Sequence, residues 1–279
     1  MVRRLRSAAA VMTMTLLAAV VVPTAGADPG QPPSASAPAG PAQAWLVADM
    51  VSGRMIGGRD AYGQYAPAST IKALLAMVVF DQLPMDAAAR ATPAQADAVC
   101  SCVGLVPGQV YTARQLLDAL LMVSGNDAAD MLADMLGGTP AAIAKMNAKA
   151  QQVGAVSTRA NSPSGLDGPG WESVSTPHDL AVIYRAALNY PLFAQILHQS
   201  VAAFPDGNGG FKQIASHDPL LTSYPGFIGG KTGYTNLARE TYVAIAQRNG
   251  KLLVAVMMYG SEELWDQGRA LLDWGFSQA

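Results

Sequence analysis

Asn249-Gly250, set between TYVAIAQR (241–248) and KLLVAVMMY (251–259), restricts the fold more than any other feature of the chain. A two-residue hairpin turn of type I′ needs positive φ at both central positions. Asn and Gly tolerate that conformation, and the flanking runs carry strand-forming residues. An antiparallel pair therefore lies near the C-terminus, and FIGGKTG (227–233) reads as a third strand just before it. At the other end, QAWLVAD (43–49) and RMIGG (54–58) flank Val51-Ser52-Gly53 and suggest a second hairpin. Between these ends, helical patterns dominate from about 69 to 200. IKALLAMVVFDQL follows Ser69-Thr70, and TARQLLDALLMV starts on a Thr112 cap. NDAADMLADML follows it. TPAAIAKMNAKAQQVG and TPHDLAVIYRAAL each open with Thr-Pro, at Thr139-Pro140 and Thr176-Pro177, where Pro suits a first helical turn. SEELWDQGRALLDWGF, acidic at its start, reads as a helix lying on the sheet.

The expected class is therefore α+β. One antiparallel sheet is built from both chain ends, helices flank it, and the middle of the chain forms an all-helical subdomain. No internal repeat is present. The chain has 279 residues, 51% of them hydrophobic and 14% charged, with a mean hydropathy of +0.20. That is enough chain for a sizeable core, and it excludes wholesale disorder. A net charge of −2 argues against nucleic acid as a partner, because phosphate binding needs a basic face.

The apolar excess is partly explained by the N-terminus. Arg3, Arg4 and Arg6 precede the apolar run 8–22, Pro23 follows it, and Ala25-Gly26-Ala27 is a small-x-small cleavage site. This is the layout of a secretory signal peptide over 1–27, and the run is shorter than the roughly 20 residues that span a bilayer. The alternative is an uncleaved anchor. Cleavage removes three arginines and no acid, leaving 15 basic and 20 acidic residues, net −5. Residues 28–42 are rich in Pro, Ala and Ser and read as a flexible linker, so one folded domain is expected over 43–279. The expected destination is the periplasm or cell envelope, or the medium. Export also bears on Cys100 and Cys102, a Cys-x-Cys pair that is either a local disulfide in an oxidising space or two free thiols. No metal site and no cofactor is expected, since two cysteines without a neighbouring His make half a zinc site at best.

Three short motifs carry the candidate chemistry. Ser69-Thr70-Ile71-Lys72 opens an apolar helix, and residues i and i+3 share a helix face, so the Lys72 amine stands about a turn above the Ser69 hydroxyl. A neutral lysine could take the serine proton if burial and a second cation lower its pKa. Alone, the motif is equally a Ser cap and a solvated lysine. Ser124-Gly125-Asn126 sits between two amphipathic helices. It is either a plain helix break or a turn presenting a hydroxyl for proton relay and a carboxamide for a substrate amide. Lys231-Thr232-Gly233 lies on a predicted edge strand. The Lys and Thr there can bind a carboxylate, and Gly233 lets a ligand backbone approach; the alternative is an ordinary strand end running into a turn. For this composition the joint chance expectation is about 0.005, yet all three occur, in order, on the elements the chemistry needs.

Together the motifs resemble the active-site signature of the penicillin-binding proteins and serine β-lactamases. PASTIK, SGNDAA (124–129), KMNAKAQQVGAVSTRANSPSGLDG (145–168), STPHDLA (175–181), GGKTGYTNLA (229–238) and the closing LLDWGF extend the resemblance over nearly all of 43–279. Over that range the chain is similar to the low-molecular-weight D-alanyl-D-alanine carboxypeptidases, peptidase family S11. The resemblance implies a DD-peptidase/β-lactamase-like fold and a serine-type carboxypeptidase that trims the terminal D-alanine from peptidoglycan stem peptides and is acylated by β-lactams. It implies Ser69 as nucleophile, Lys72 as general base and Ser124 as proton relay. Asn126, Lys231, Thr232, Gly233, Tyr234 and Thr235 would bind substrate, with the N–H groups of Ser69 and Tyr234 as oxyanion hole. Asn147, Asn161, Gly165, Leu166 and Asp167 would be structural.

Relatives with a C-terminal membrane helix end differently: the last helix here lacks a basic polar face, so no such anchor is expected. Arg239-Glu240 departs from the small residue of many relatives and receives no role. The rival reading is a class A-like β-lactamase, which would need a deacylating Glu, and 150–180 holds only Glu172. Further alternatives are a non-catalytic penicillin-sensing or wall-binding domain, and a Ser-His-Asp hydrolase. The hydrolase could draw on His178, His198 or His217, but the sequence holds no Gly-x-Ser-x-Gly elbow.

Overall fold

A computed structural model of the chain describes residues 36–278. The signal peptide expected over 1–27 and the larger part of the 28–42 linker lie outside the described residues. The chain opens with β1 (Ala42–Asp49) and β2 (Met55–Arg59) and closes with β7 (Phe227–Thr235), β8 (Arg239–Arg248) and β9 (Lys251–Gly260). These five strands form one antiparallel sheet in the order β2-β1-β9-β8-β7. The first strand thus pairs with the last, Ala42 opposite Gly260 and Asp49 opposite Leu253, which joins the two chain ends as expected. β8 and β9 turn on Asn249 (φ 51°) and Gly250 (φ 77°), the positive-φ pair that such a two-residue turn requires.

Side chains alternate between the two faces of the sheet. Leu46, Val243, Ile245, Val254, Val256 and Met258 meet the helices of the middle segment. Trp45, Val47, Tyr242, Ala244, Leu253, Ala255 and Met257 meet Leu264, Leu271 and Leu272 on the other side. The last two leucines belong to α9 (Trp265–Gln278), with Asp266 in its first turn. The sheet is therefore the middle of three layers.

The helical layer centres on α1 (Lys72–Gln82), which a short 3-10 turn, Ala68–Ile71, leads into. Every residue from Lys72 to Val79 in α1 is buried, so these two turns have no solvent face and their sequence shows little amphipathic contrast. Around it stand α3 (Ala113–Met122), α4 (Asn126–Met135), α5 (Thr139–Val153), α6 (Pro177–Ala187) and α7 (Pro191–His198). Thr112 caps α3 in a reciprocal box with Gln115, and the Thr176 side chain accepts from the Asp179 N–H to start α6. At α5 the boundary residue is Gly138 (φ 97°), one position before the Thr139 start that the Thr-Pro pattern predicts. Among the described residues, no single helix is long and apolar enough to cross a membrane.

Two further features interrupt the expected helical middle. Residues between α1 and α3 form β3 (Ala88–Arg90), a short helix α2 (Pro93–Ala96) and β4 (Val110–Thr112), with β3 and β4 paired. Three-residue strands are too short to show a period of two, so sequence pattern could not reveal them. β5 (Val201–Pro205) and β6 (Phe211–Ala215) pair around Asp206-Gly207-Asn208-Gly209-Gly210, a turn-rich segment that was a readable signal. A single-turn helix, α8 (Leu220–Ser223), precedes β7.

Candidate active site

Two turns with unusual backbones meet at the head of α1. Ala68 has φ 46° and Ser124 has φ 58°, both in the left-handed region that L-residues seldom occupy. Such strain persists where surrounding contacts enforce it. At Ala68 the enforcing partner is Gly165, whose own φ is 85° and whose position would set a β-carbon 1.9 Å from the Ala68 carbonyl oxygen. Only glycine fits there, and the 162–166 loop presses against the back of Ser69.

The Lys72 amine is fully buried and has four polar neighbours. Ser69 Oγ is 2.7 Å away, Asn126 Oδ1 2.7 Å, the Ser164 carbonyl 2.8 Å and Ser124 Oγ 3.4 Å. The two carbonyl-type oxygens can only accept. A neutral amine has two N–H donors and one lone pair. Donating to Asn126 and Ser164 leaves that lone pair for the Ser69 hydroxyl proton. Burial drives the Lys72 pKa well below its ordinary range, and the Lys231 charge pushes the same way against Asp130 and Asp127. Asp130 is itself raised to about 6, chiefly by burial, with Lys72 opposing.

The opposite wall is β7, the edge strand that the motif reading required. Gly233 lies so near the nucleophile turn that a β-carbon would stand 2.6 Å from the Ser69 nitrogen and 2.7 Å from Thr241 Oγ1. Lys231 is 3% exposed, donates to the Thr232 carbonyl at 2.7 Å, and is pushed down to about 7 by burial, with Asp218 pulling upward. Tyr234 is 54% exposed on the rim. The Thr235 hydroxyl is already engaged: it donates to Asp167 Oδ2 at 2.6 Å and accepts from the Ala238 N–H at 2.9 Å. It ties β7 to the 162–168 loop.

A cavity of about 290 Å³ brings these groups together. Ser69, Ser124, Asn126, Thr232, Gly233, Tyr234 and Thr235 line it, together with Cys100, Ser101, His217 and Glu240. Cys100 and Cys102 are joined by a disulfide. Asn147 holds Ala160 through both its N–H and carbonyl, and Asn161 donates to the Glu172 carbonyl, so these asparagines brace the loop. The Glu172 carboxylate accepts from the Gly170 N–H in its own turn.

None of the three histidines hydrogen-bonds Ser69. His178 contacts Asp179 at 3.4 Å and stacks on Tyr62, and His198 lies 3.2 Å from the Ile228 carbonyl. Sequence reasoning missed three contributors. The Ser164 carbonyl is a backbone group with no residue-type signal. His217, with its pKa lowered by burial and then by Lys231, lines the cavity through a loop. Asp127 accepts from the N–H groups of Val103, Gly104 and Leu105 at 3.0, 2.8 and 3.0 Å, and its place next to the Ser-Gly-Asn turn was the available clue.

The chain and its fold are similar to those of known proteins. The family described as D-alanyl-D-alanine carboxypeptidase, peptidase family S11, matches residues 31–262. The curated D-alanyl-D-alanine carboxypeptidase DacB2 of Mycobacterium tuberculosis is 54% identical over 258 residues, covering 91% of this chain and 88% of the relative. A crystal structure of a D-alanyl-D-alanine carboxypeptidase from M. tuberculosis H37Rv superposes with a TM-score of 0.85 at 54% identity, covering 88% of this chain and 94% of that one. The Streptomyces K15 DD-transpeptidase superposes with a TM-score of 0.81 at 28% identity, covering 87% of this chain and all of that one.

Proposed function

This chain belongs to the D-alanyl-D-alanine carboxypeptidase family, peptidase family S11, and from that premise we propose that Ser69, Lys72 and Ser124 form its catalytic machinery and that its substrate is a peptidoglycan stem peptide ending in D-Ala-D-Ala. The observation that carries the assignment is the coordination of the Lys72 amine. Two acceptor-only oxygens occupy its donors and leave one lone pair facing the Ser69 hydroxyl.

Ser69 Oγ attacks the carbonyl of the penultimate D-alanine while its proton passes to Lys72 Nζ. The negative charge that develops on the carbonyl oxygen is met by the Ser69 and Tyr234 N–H groups, a pairing supported by the contact of β7 with the nucleophile turn. Ser124 Oγ, 3.4 Å from Lys72 Nζ, passes a proton from the ammonium to the leaving D-alanine amine, and the C–N bond breaks. Water then attacks the ester, restoring Ser69 and releasing the shortened peptide. Lys231 and Thr232 hold the terminal carboxylate by charge and hydroxyl donation, and Lys231 keeps Lys72 neutral. Gly233 leaves room for the substrate backbone. Asn126 orients the substrate amide. Thr235, held by Asp167 and Ala238, lines the cavity at the strand end and completes the substrate-binding edge.

The same nucleophile reacts with β-lactams. The one Glu of the 150–180 segment is turned to its own loop at Gly170, so no glutamate from that segment activates a deacylating water, and the penicilloyl ester persists. The activity belongs at the cell envelope, which the N-terminal segment reaches as an export signal cleaved after Ala27.

The test is release of D-alanine from a diacyl-D-Ala-D-Ala peptide, together with mass spectrometry after benzylpenicillin. D-alanine release and a stable adduct on Ser69, both abolished in Ser69→Ala, are expected. Rapid turnover of a chromogenic cephalosporin would instead make the protein a β-lactamase, and absence of any adduct at saturating drug would make it a binding domain.

A further inference from the structure

The Cys100–Cys102 disulfide stands on the rim of the cavity, and nothing in the mechanism above uses it. Cys100 is exposed and lines both the cavity that holds Ser69 and an adjoining groove bounded by Leu166, Asp167, Glu172, Tyr234 and Leu237. The backbone beside the disulfide is not idle. The Val99 carbonyl accepts from Asn126 Nδ2 at 2.6 Å, and the Ser101 carbonyl accepts from the Asn126 N–H at 2.7 Å. Ser101 Oγ donates to the Val123 carbonyl at 3.0 Å, one residue before Ser124. Asn126 Oδ1 in turn accepts from Lys72 Nζ. Asn126, whose carboxamide orients the lysine, is thus held by two carbonyls, its side chain by the one immediately before the disulfide ring and its backbone by the one inside it.

The flanks of this segment are secured independently. Ala98 N–H donates to the Gln95 carbonyl, and Val103, Gly104 and Leu105 are held by the Asp127 carboxylate. Residues 99–102 are what remains between these anchors, and the cross-link is the covalent constraint on their shape. Opening it leaves the flanks in place and frees the two carbonyls to rotate.

We propose that Cys100–Cys102 is a thiol-exchange site that positions Asn126, so that acylation of Ser69 is faster with the disulfide closed than with it open. The reacting partner is a dithiol. One of its thiolates attacks a disulfide sulfur and a cysteine leaves. Its second thiol then displaces the other cysteine, so two electrons and two protons pass to the protein and the reductant becomes a disulfide. The inference rests on the roles assigned to Ser69, Lys72 and Asn126.

The full chain is assayed oxidised and after dithiothreitol, with free thiols counted in each state. Readouts are the second-order rate of acylation by a fluorescent penicillin and D-alanine release. Losing the aim of one or two hydrogen bonds should slow acylation about two- to tenfold. Reoxidation restores the rate, and the Cys100→Ser/Cys102→Ser double variant equals the reduced protein and ignores reductant. In Asn126→Ala, already slow, reduction changes the rate little, because the group through which the disulfide acts is gone. Equal rates in the two verified redox states, a redox effect undiminished in Asn126→Ala, or a disulfide that dithiothreitol leaves closed in the folded protein would overturn the inference. Failure of the oxidised protein to acylate at all would instead overturn the assignment of Ser69.

Discussion

Lys72 and Lys231 are both buried, and their pKa values are lowered for the same first reason, loss of water around the ammonium. Their proposed tasks are opposite. Lys72 must be neutral to take a proton, whereas Lys231 must be charged to hold a carboxylate. Asp218 opposes the fall at Lys231, and the Lys231 charge adds to the fall at Lys72, so Lys231 keeps its proton to the higher pH. With Lys231 down at about 7, raising the pH through that value removes the carboxylate anchor from the free enzyme. The ratio kcat/KM for D-alanine release, which reports the free enzyme, should therefore fall about tenfold per unit once the pH is well above 7. Lys231→Arg keeps its charge across that range. It should flatten the alkaline limb to less than a twofold change between about pH 7 and pH 9, while lowering the plateau because the guanidinium is larger. A limb that stays in place in the arginine variant would remove Lys231 from that role.

At the scale of elements, the site is a seam between the nucleophile turn, the α3–α4 turn, the 162–168 loop and edge strand β7. Gly165 is the point where the loop bears on the turn. Its positive φ and the 1.9 Å approach to the Ala68 oxygen leave no room for a methyl group. Gly165→Ala must therefore move the loop, the turn or both, and the Ser164 carbonyl moves away from Lys72. Acylation by a fluorescent penicillin should drop by about a hundredfold, on the scale expected of a displacement near 1 Å. A thermal melt should show a loss of about 1–3 kcal/mol from strain. An alanine variant with unchanged acylation would show that the loop does not set the nucleophile.

For the molecule as a whole, one sheet serves two cores. Leu75 lies in the helical core and Leu271 in the α9 core, both fully buried, and the strands between them carry residues to each face. Neither core can lose the sheet without exposing the other, so unfolding should be a single cooperative step. Three of the four tryptophans, Trp45, Trp265 and Trp274, lie on the α9 side, and the fourth, Trp171, is 44% exposed in the loop after Gly168 and is replaced by Phe for this measurement, whereas penicillin acylation reports the helical side. Urea transitions followed by tryptophan fluorescence and by residual acylation should coincide. Leu75→Ala and Leu271→Ala should each lower the stability by about 2–5 kcal/mol in both probes together. Separated midpoints would mean that the two layers unfold independently.

The sequence alone determined the strands at both ends, the antiparallel hairpin at Asn249-Gly250, the helical middle and the three motifs that meet at the site. Those features are local: turn chemistry, hydrophobic period and i, i+3 spacing are written in neighbouring residues. It did not determine the short β3–β4 pair, whose strands have three residues each and so carry no period. Nor could it yield the Ser164 carbonyl beside Lys72, because every residue has a carbonyl and only the fold chooses which one faces the lysine. It left Cys100 and Cys102 between a disulfide and free thiols, and it gave no hint that the carbonyls around them aim Asn126 at Lys72. The pKa directions of Lys72 and Lys231 likewise depend on burial and on a neighbour 159 positions away along the chain. These belong to tertiary structure, because desolvation and charge–charge distance are properties of the packed chain.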